Sequence, residues 1–325
     1  MRVVTITRPG GPESLQIAEV PDPIPAHGEV LIAIAAAGVN RADLHQREGN
    51  YPPPEGAPEW PGLEISGTVI GVGDGVTDIT VGDRVCALLA GGGYAEKAVV
   101  ARGLVLPVPD SLALDDAAAL PEAIATVWST VFMSAGLRAG ETLLVHGGSG
   151  GIGTTAIQLA RAMGCRVAVT CSTEAKLAVC RNLGADILIN YQTEDFVAEV
   201  LRSTDSVGAD VILDAVGGAY LDRNLRALAP HGRIELIANQ SAVPGELNIG
   251  RLMAKWGTVR ASTLRARTLS EKEEIIASIR ANAWPLVSNG LVSPVVDEKF
   301  RLDDARLAHE KMASGHHIGK LLLLP

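Results

Sequence analysis

From Val30 to Ala37, Glu64 to Val72 and Arg84 to Leu89 the chain carries short apolar and β-branched stretches. The segments between them are turn-rich: PDPIPAHG (Pro21–Gly28), YPPPEGAPEWPG (Tyr51–Gly62) and GVGDGVTDITVGD (Gly71–Asp83). Strands punctuated in this way predict a compact, barrel-like β region reaching to about residue 120. MRVVTITRPGG at the start adds a further strand and turn.

From about Ala123 the rhythm changes. Strand-like runs at Thr142–His146, Arg166–Thr170, Asp186–Asn190, Asp210–Ala215, Arg233–Ala238 and Thr258–Leu264 alternate with helical patterns. The helical patterns fall near 151–163, 174–183, 194–202 and 218–228. This alternation predicts a parallel sheet wound on both faces, an α/β unit. Mixed structure then returns. Ser270-x-x-Glu273 has the form of a capping box ahead of Ile275, Ile276 and Ile279. Asp303 or Asp304 is placed to cap a last helix, and Gly319–Leu324 reads as a buried final strand. The β region is therefore expected to be discontinuous, 1–122 and 265–325, with the α/β unit at 123–264.

The most informative segment is TLLVHGGSGGIGTTAIQLARAMGCRVAVT (Thr142–Thr170). A strand leads into a glycine turn, a helix and a second strand. Gly148, Gly150 and Gly153 satisfy G-x-G-x-x-G in the context that identifies a dinucleotide site. The first glycine is expected to allow the tight turn. The second lets backbone approach a pyrophosphate, and the third lets the helix pack against the strand. N–H groups at the helix start favour the anion.

The tip of the second strand, Val169-Thr170-Cys171-Ser172, carries no acid, where an NAD site usually places one. Glu174 falls in the first turn of the next helix. Ser172 can donate to a 2′-phosphate and Lys176 can supply positive charge one turn on, so NADPH is expected over NADH. The competing reading is that Ser172 caps the helix and Lys176 is a solvated surface charge.

Composition narrows the function classes. The net charge is -9, which disfavours a nucleic-acid or membrane-surface partner. Four cysteines lack C-x-x-C spacing, pointing to a reduced, cytoplasmic chain. No signal-like segment opens the sequence, and no apolar run reaches membrane-spanning length. With 3% aromatic residues, Ala, Val, Leu and Ile must fill the cores.

Nearly end to end, the chain resembles the medium-chain dehydrogenase/reductase superfamily. Within it, the chain is most similar to the zinc-free, zeta-crystallin-like quinone oxidoreductases. The resemblance rests on GVNRADLHQREGNYPPP (Gly38–Pro54), PGLEISGTV (Pro61–Val69), GDRVCALLAGGGYAEKAVV (Gly82–Val100) and LPEAIATVW (Leu120–Trp128). It continues through HGGSGGIG, CSTEAK, DAVGG and HIGKLLL. The PEA tripeptide and the tyrosine context are most similar to the tumour-suppressor-induced quinone oxidoreductases.

The resemblance implies a GroES-like β-barrel-type catalytic domain, a Rossmann domain binding NADPH, and a site in the cleft between them. It implies cofactor contacts at Tyr51, Thr126, Gly150, Gly151, Ile152, Ser172, Lys176, Tyr191, Val216, Asn239 and Lys320, and assembly as a homodimer. Two departures stand out: His146-Gly147-Gly148 where relatives often have alanines, and Asn239-Gln240 in place of a glycine-rich segment.

Zinc-dependent relatives carry Cys where Asn40 stands and His where Leu63 stands. Leucine has no lone pair and neutral Asn is a poor substitute for thiolate. Glu122 falls near the third ligand's position, but one carboxylate cannot form a catalytic zinc site. No metal is therefore expected, and hydride transfer is expected to a small quinone or other conjugated carbonyl, which needs less activation than a ketone. Asn40 and Tyr51 are candidate catalytic residues, with Asp43 more an orienter of the loop than an acid. The bland readings are a local cap for Asn40, a helix cap for Asp43 and an anchor for the proline loop at Tyr51. A reductase of activated alkenes and a non-catalytic NADPH-binding protein remain alternatives. The Thr258–Leu264 strand, β-branched and lightly charged, is the candidate dimer edge unless the following helix covers it.

Overall fold

The computed structural model describes every residue from Met1 to Pro325. Its packing divides the chain into two compact units. One comprises Met1–Ala125, Arg265–Ser288 and Pro294–Pro325; the other comprises Thr126–Leu264 and Asn289–Ser293. No helix is long and apolar enough to cross a membrane.

The first unit opens with an antiparallel pair, β1 (Arg2–Ile6) and β2 (Leu15–Glu19). Strand β3 (Glu29–Val39) buries Val30, Ile32, Ile34 and Ala36, the period-two signature of a sheet with one face in the core. Helix α1 (Arg41–Arg47) follows at once, then β4 (Glu64–Val72), β5 (Arg84–Leu88), β6 (Lys97–Ala101) and β7 (Val105–Pro107). These strands pair antiparallel. Helix α2 (Pro121–Val127) crosses the unit boundary and continues into a π-helical turn at Trp128–Ser134.

The second unit alternates strand and helix: β8 (Thr142–His146), α3 (Gly151–Ala162), β9 (Arg166–Cys171), α4 (Glu174–Asn182), β10 (Ile187–Asn190), α5 (Phe196–Ser203), β11 (Ala209–Asp214), α6 (Leu221–Ala227), β12 (Leu228–Leu236), α7 (Ile249–Lys255) and β13 (Thr258–Ala261). All six strands run parallel, in the order β10-β9-β8-β11-β12-β13. The order reverses at β8, which puts the glycine turn at the switch point where doubly wound sheets bind ligands. Every residue of β8 is buried, as a strand covered on both faces requires.

Strand β12 starts at Leu228 rather than Arg233, because a bulge carries it through Pro230-His231-Gly232. His231 takes a left-handed φ of 60° there. The helix before it is correspondingly shorter than the pattern suggested.

The chain then returns to the first unit with α8 (Leu269–Asn282), α9 (Trp284–Ser288), β14 (Val296–Arg301), α10 (Ala305–Ser314) and β15 (Lys320–Leu324). The capping box of α8 is Thr268–Glu271, not Ser270–Glu273. Glu271 N donates to Thr268 Oγ1 at 3.3 Å, and Thr268 N donates to Glu271 Oε2 at 2.8 Å. Asp304 stands at the N-cap of α10 without a side-chain bond to it, and Asp303 pairs with Arg2. The apolar β15 lies between β14 and β3 in a seven-stranded sheet completed by β4, β5, β7 and β6. Around that sheet gather the charged side chains described next.

Candidate active site

In the second unit the glycine turn divides its labour differently from the motif's usual reading. The residue with left-handed backbone is Gly147, at φ 78°. A Cβ on Gly148 would lie 2.6 Å from Val169 Cβ, so Gly148 is needed for contact with β9. A Cβ on Gly153 would lie 2.4 Å from the carbonyl oxygen of Gly147, so Gly153 lets the helix start against the turn. Gly150 is different. Nothing comes nearer than 3.7 Å to where its Cβ would be. It is also the N-cap of α3 and supplies no capping side chain. The amides of Gly151, Ile152 and Gly153 therefore lack intrahelical acceptors beside an open approach, which suits a pyrophosphate.

At the end of β9 the cap of α4 is Thr173, whose Oγ1 accepts from Lys176 N at 3.3 Å. Ser172 is therefore not the cap, and it stands half-buried beside a half-buried Lys176. Glu174 is engaged sideways, accepting from Asn190 Nδ2 at 3.3 Å. Tyr191 N donates to the carbonyl of Cys171 at 3.1 Å, which brings the exposed Tyr191 alongside Ser172. Cys171 and Cys180 place their sulfurs 3.7 Å apart beneath this corner.

A buried relay ties the turn to the loop after β11. His146 Nδ1 lies 3.1 Å from Thr170 Oγ1, and Nε2 lies 2.8 Å from Asn224 Oδ1. Asn224 Nδ2 donates to Asp214 Oδ2 at 2.8 Å. Asp214 Oδ1 accepts from Val216 N at 2.5 Å and Gly217 N at 3.2 Å. Burial holds the imidazole of His146 below its ordinary pKa and so neutral. The sequence marked His146 as a departure but gave no sign of this partner set.

Asn239 holds the same loop. Its Oδ1 accepts from Gly218 N and Ser241 Oγ, each at 3.0 Å, and its Nδ2 donates to Val243 O at 3.3 Å. It borders a cavity of about 580 Å³ at the carboxyl ends of β11, β12 and β13. Thr126 opens this unit with its side chain buried, and its carbonyl accepts from Thr130 Oγ1 at 2.6 Å.

In the first unit Asn40, expected as a hydrogen-bond donor to substrate, spends its amide within the protein. Nδ2 donates to Glu64 Oε1 at 2.9 Å, and Oδ1 accepts from Lys320 Nζ at 2.7 Å. Lys320, expected at the cofactor, is committed here as well. Its Nζ lies 2.5 Å from Glu64 Oε1 and 3.2 Å from Val39 O, which with Asn40 accounts for all three hydrogens. Gly38 makes room for this: a Cβ there would lie 2.2 Å from Glu64 Oε1. Leu63 is buried and apolar, and no cluster of three His, Cys, Asp or Glu side chains is arranged to hold a metal.

Asp43 is wholly buried and accepts from Asn40 N at 2.8 Å, Gly62 N at 3.0 Å and the Tyr94 hydroxyl at 3.2 Å. Burial pushes its carboxyl up to about 6 against those donors. Behind it, Tyr94 Oη lies 3.1 Å from His309 Nε2, and Arg47 Nη1 lies 3.3 Å from His309 Nδ1. A guanidinium only donates, so Nδ1 accepts and Nε2 carries the hydrogen. The relay thus runs from Arg47 through His309 and Tyr94 to Asp43. Burial, with Arg47 nearby, keeps the His309 pKa down at about 3.

Tyr51 is half-buried, with the Arg265 guanidinium 5.3 Å from its ring centre. Arg265 also donates to Tyr51 O at 3.1 Å, Gln46 Oε1 at 2.8 Å and Ala90 O at 2.7 Å. Lys272 Nζ donates to Arg265 O at 2.7 Å. Glu122 N donates to Glu64 Oε2 at 2.8 Å. Burial and the nearby Glu64 push the Glu122 carboxyl up to about 8.

Comparison with known proteins agrees with this architecture. Residues 26–110 match the family model for the alcohol dehydrogenase GroES-like domain, and residues 151–280 that for zinc-binding dehydrogenase. The chain is 34% identical to a quinone oxidoreductase of Rattus norvegicus, over 100% of this chain and 98% of that one. It is 31% identical to a quinone oxidoreductase of Homo sapiens at the same coverage. Among solved structures, Escherichia coli quinone oxidoreductase complexed with NADPH superposes with a TM-score of 0.89 at 29% identity, covering 100% of both chains. A mycobacterial protein complexed with NADPH gives 0.88 at 30% identity, again covering 100% of both. Identity at this level across the full length places the chain: it belongs to the zeta-crystallin-like quinone oxidoreductase family of the medium-chain dehydrogenase/reductase superfamily.

Proposed function

We propose that the protein is an NADPH-dependent quinone reductase that works without a metal ion, nearest in its PEA tripeptide (Pro121–Ala123) and tyrosine context to the tumour-suppressor-induced subgroup. The observation that carries this reading is the corner formed by Ser172, Lys176 and Tyr191 beside the acid-free tip of β9. A hydroxyl and an ammonium without a carboxylate favour a 2′-phosphate over a bare ribose diol. The amides of Gly151, Ile152 and Gly153 take the pyrophosphate, with Gly150 as its approach. Val216 and its loop, fixed by Asp214, serve the nicotinamide. NADPH, when bound, supplies the hydride.

The metal-free reading follows from the donor set around Asn40. Glu64 already has its charge met by Lys320, and Leu63 offers no lone pair, so a dication would find neither an anionic cage nor soft ligands. A quinone tolerates this loss because its conjugated carbonyls need little polarisation. Positioning then supplies much of the rate. Tyr51, braced by Arg265, serves to hold the acceptor. Asn40 and Asp43 act through the loop, keeping its backbone fixed. We also propose a homodimer joined along β13, one of the two edges of the six-stranded sheet.

The test is NADPH oxidation by metal-stripped protein with small ortho- and para-quinones against an enone control. Quinone-dependent turnover supports the reading. Turnover with the enone alone moves the assignment to alkene reduction, and tight NADPH binding without turnover points to a binding protein.

A further inference from the structure

We propose that Glu122 is the general acid of this site, donating the proton that a quinone oxygen requires as the hydride arrives. The inference rests on the quinone-reductase reading. Hydride brings two electrons and one proton equivalent; reducing a quinone to a hydroquinone takes one proton more. The O–H bond forms on the quinone oxygen as the O–H bond of Glu122 breaks. The resulting carboxylate recovers its proton from water.

The geometry selects Glu122 by exclusion. The polar side chains gathered around Asn40 fall into two sets. Asp43, Glu64, Tyr94 and His309 are fully buried, and Arg265, Lys272 and Lys320 are nearly so. Asn40, Tyr51 and Glu122 are half-buried and reachable. Asn40 has spent its amide on Glu64 and Lys320, and an amide carries no exchangeable acid in any case. Tyr51 is a phenol, an acid of about the strength of the hydroquinone it would form, so it offers no driving force for the transfer. Glu122 is a carboxylic acid whose backbone N–H is clamped to Glu64 Oε2 at 2.8 Å. Its carboxyl makes no hydrogen bond or ion pair within the protein. Asn40 Nδ2 donates to one oxygen of Glu64 and Glu122 N to the other, so the two residues flank one carboxylate.

The charges around Glu122 explain why it still holds a proton near neutrality. Glu64 from β4 and Asp43 from α1 oppose its ionisation, and burial opposes it more strongly. Lys320 from β15 and Lys272 from α8 favour ionisation, and Arg265, just before α8, also faces it. Lys320 is already neutralised by Glu64 and Lys272 is committed to a carbonyl, so burial and the neighbouring carboxylates prevail. The carboxyl therefore stays protonated until about pH 8. An unpartnered acid, reachable and protonated at working pH, is what a proton donor needs and what a structural carboxylate is not.

The experiment compares wild-type protein with Glu122→Gln and Glu122→Ala. NADPH affinity is read by fluorescence titration, quinone turnover as a function of pH, and thermal stability over the same range. Expected for Glu122→Gln is a fall in kcat of about a hundredfold with unchanged NADPH affinity. The wild-type rate should drop above about pH 8, and this limb should vanish in the variant. Formate should restore turnover to Glu122→Ala. The stability readout needs no substrate. The native state binds the Glu122 proton more tightly than the unfolded chain, so wild type should lose more stability than Glu122→Gln as pH rises from 4.5 towards 8, the variant keeping only the smaller loss that Asp43 causes up to about pH 6. An active wild type matched by Glu122→Gln at all pH values overturns the assignment. So does a loss of rate that is flat with pH and not rescued by formate. A wild type with no quinone turnover overturns the functional reading instead, while the melting curves still report whether Glu122 holds its proton.

Discussion

His146 Nε2 sits 2.8 Å from Asn224 Oδ1, and through that contact the residue opening the glycine turn supports the loop that carries Val216. Each member of the relay is buried and has its partner, so removing one strands the next. His146→Ala leaves the Asn224 carbonyl unpaired and the Thr170 hydroxyl with only the Gly147 N–H, at a cost of about 2 kcal/mol. The expected result is a lower melting temperature together with weaker NADPH binding. Weaker melting with unaltered NADPH affinity would show that the relay stabilises the fold without serving the cofactor loop.

The two glycines that frame the start of α3 should respond differently to the same change. At Gly153 a methyl group meets the Gly147 carbonyl at 2.4 Å, so Gly153→Ala is expected to destabilise the unit by about 1–3 kcal/mol. At Gly150 it meets nothing nearer than an ordinary contact of 3.7 Å, so Gly150→Ala should fold normally and lose NADPH affinity instead. Thermal melts and cofactor titrations on both proteins separate the two effects.

Lys176→Ala tests the 2′-phosphate assignment. A charge-assisted contact removed there should weaken NADPH binding about tenfold to a hundredfold while leaving NADH binding nearly unchanged. Equal losses for both cofactors would remove Lys176 from the discrimination.

Lys320→Met leaves Glu64 buried and without its cation, which is expected to cost about 3–5 kcal/mol. Adding Glu64→Gln to the same chain should recover much of that loss, because the uncompensated charge goes with it. Chemical denaturation of the single and double variants checks this; a double variant no more stable than Lys320→Met would mean that packing, not charge, is what Lys320 provides.

A dimer should appear in sedimentation velocity at micromolar concentration if β13 joins a second copy. A monomer at that concentration rules out the edge-to-edge seam.

The βα rhythm from Thr142 onward was readable because buried parallel strands are continuous apolar runs and their helices are amphipathic. Two kinds of feature were not. Ser270-x-x-Glu273 and Thr268-x-x-Glu271 are overlapping frames of one capping rule, and only tertiary packing chooses between them. Strand β14, VDEKFR, is largely exposed and so lacks the alternation that marks a half-buried strand. At the site, the motif residues were visible but their roles were not. Asn40 and Lys320 are far apart in sequence, and nothing local says that they meet over Glu64. The same holds for His309 and Arg47, whose contact is created entirely by the packing of α10 near α1.

Strand β15 follows β1–β14 in the chain yet lies inside its sheet, where Leu321 pairs with Val39 and Leu323 with Ala37. During synthesis the far half of β3 must therefore wait, with one edge unpaired, through the whole contiguous stretch from Thr126 to Leu264. That intervening unit has its own sheet and can close first. Glu64 waits too, since its counter-ion Lys320 arrives on the same late strand. A chain lacking Lys320–Leu324 would combine an open strand edge with a buried, uncompensated carboxylate, two marks of a protein destined for aggregation or degradation. Synthesis of β15 thus becomes a condition for settling Glu64 between Asn40 and Glu122.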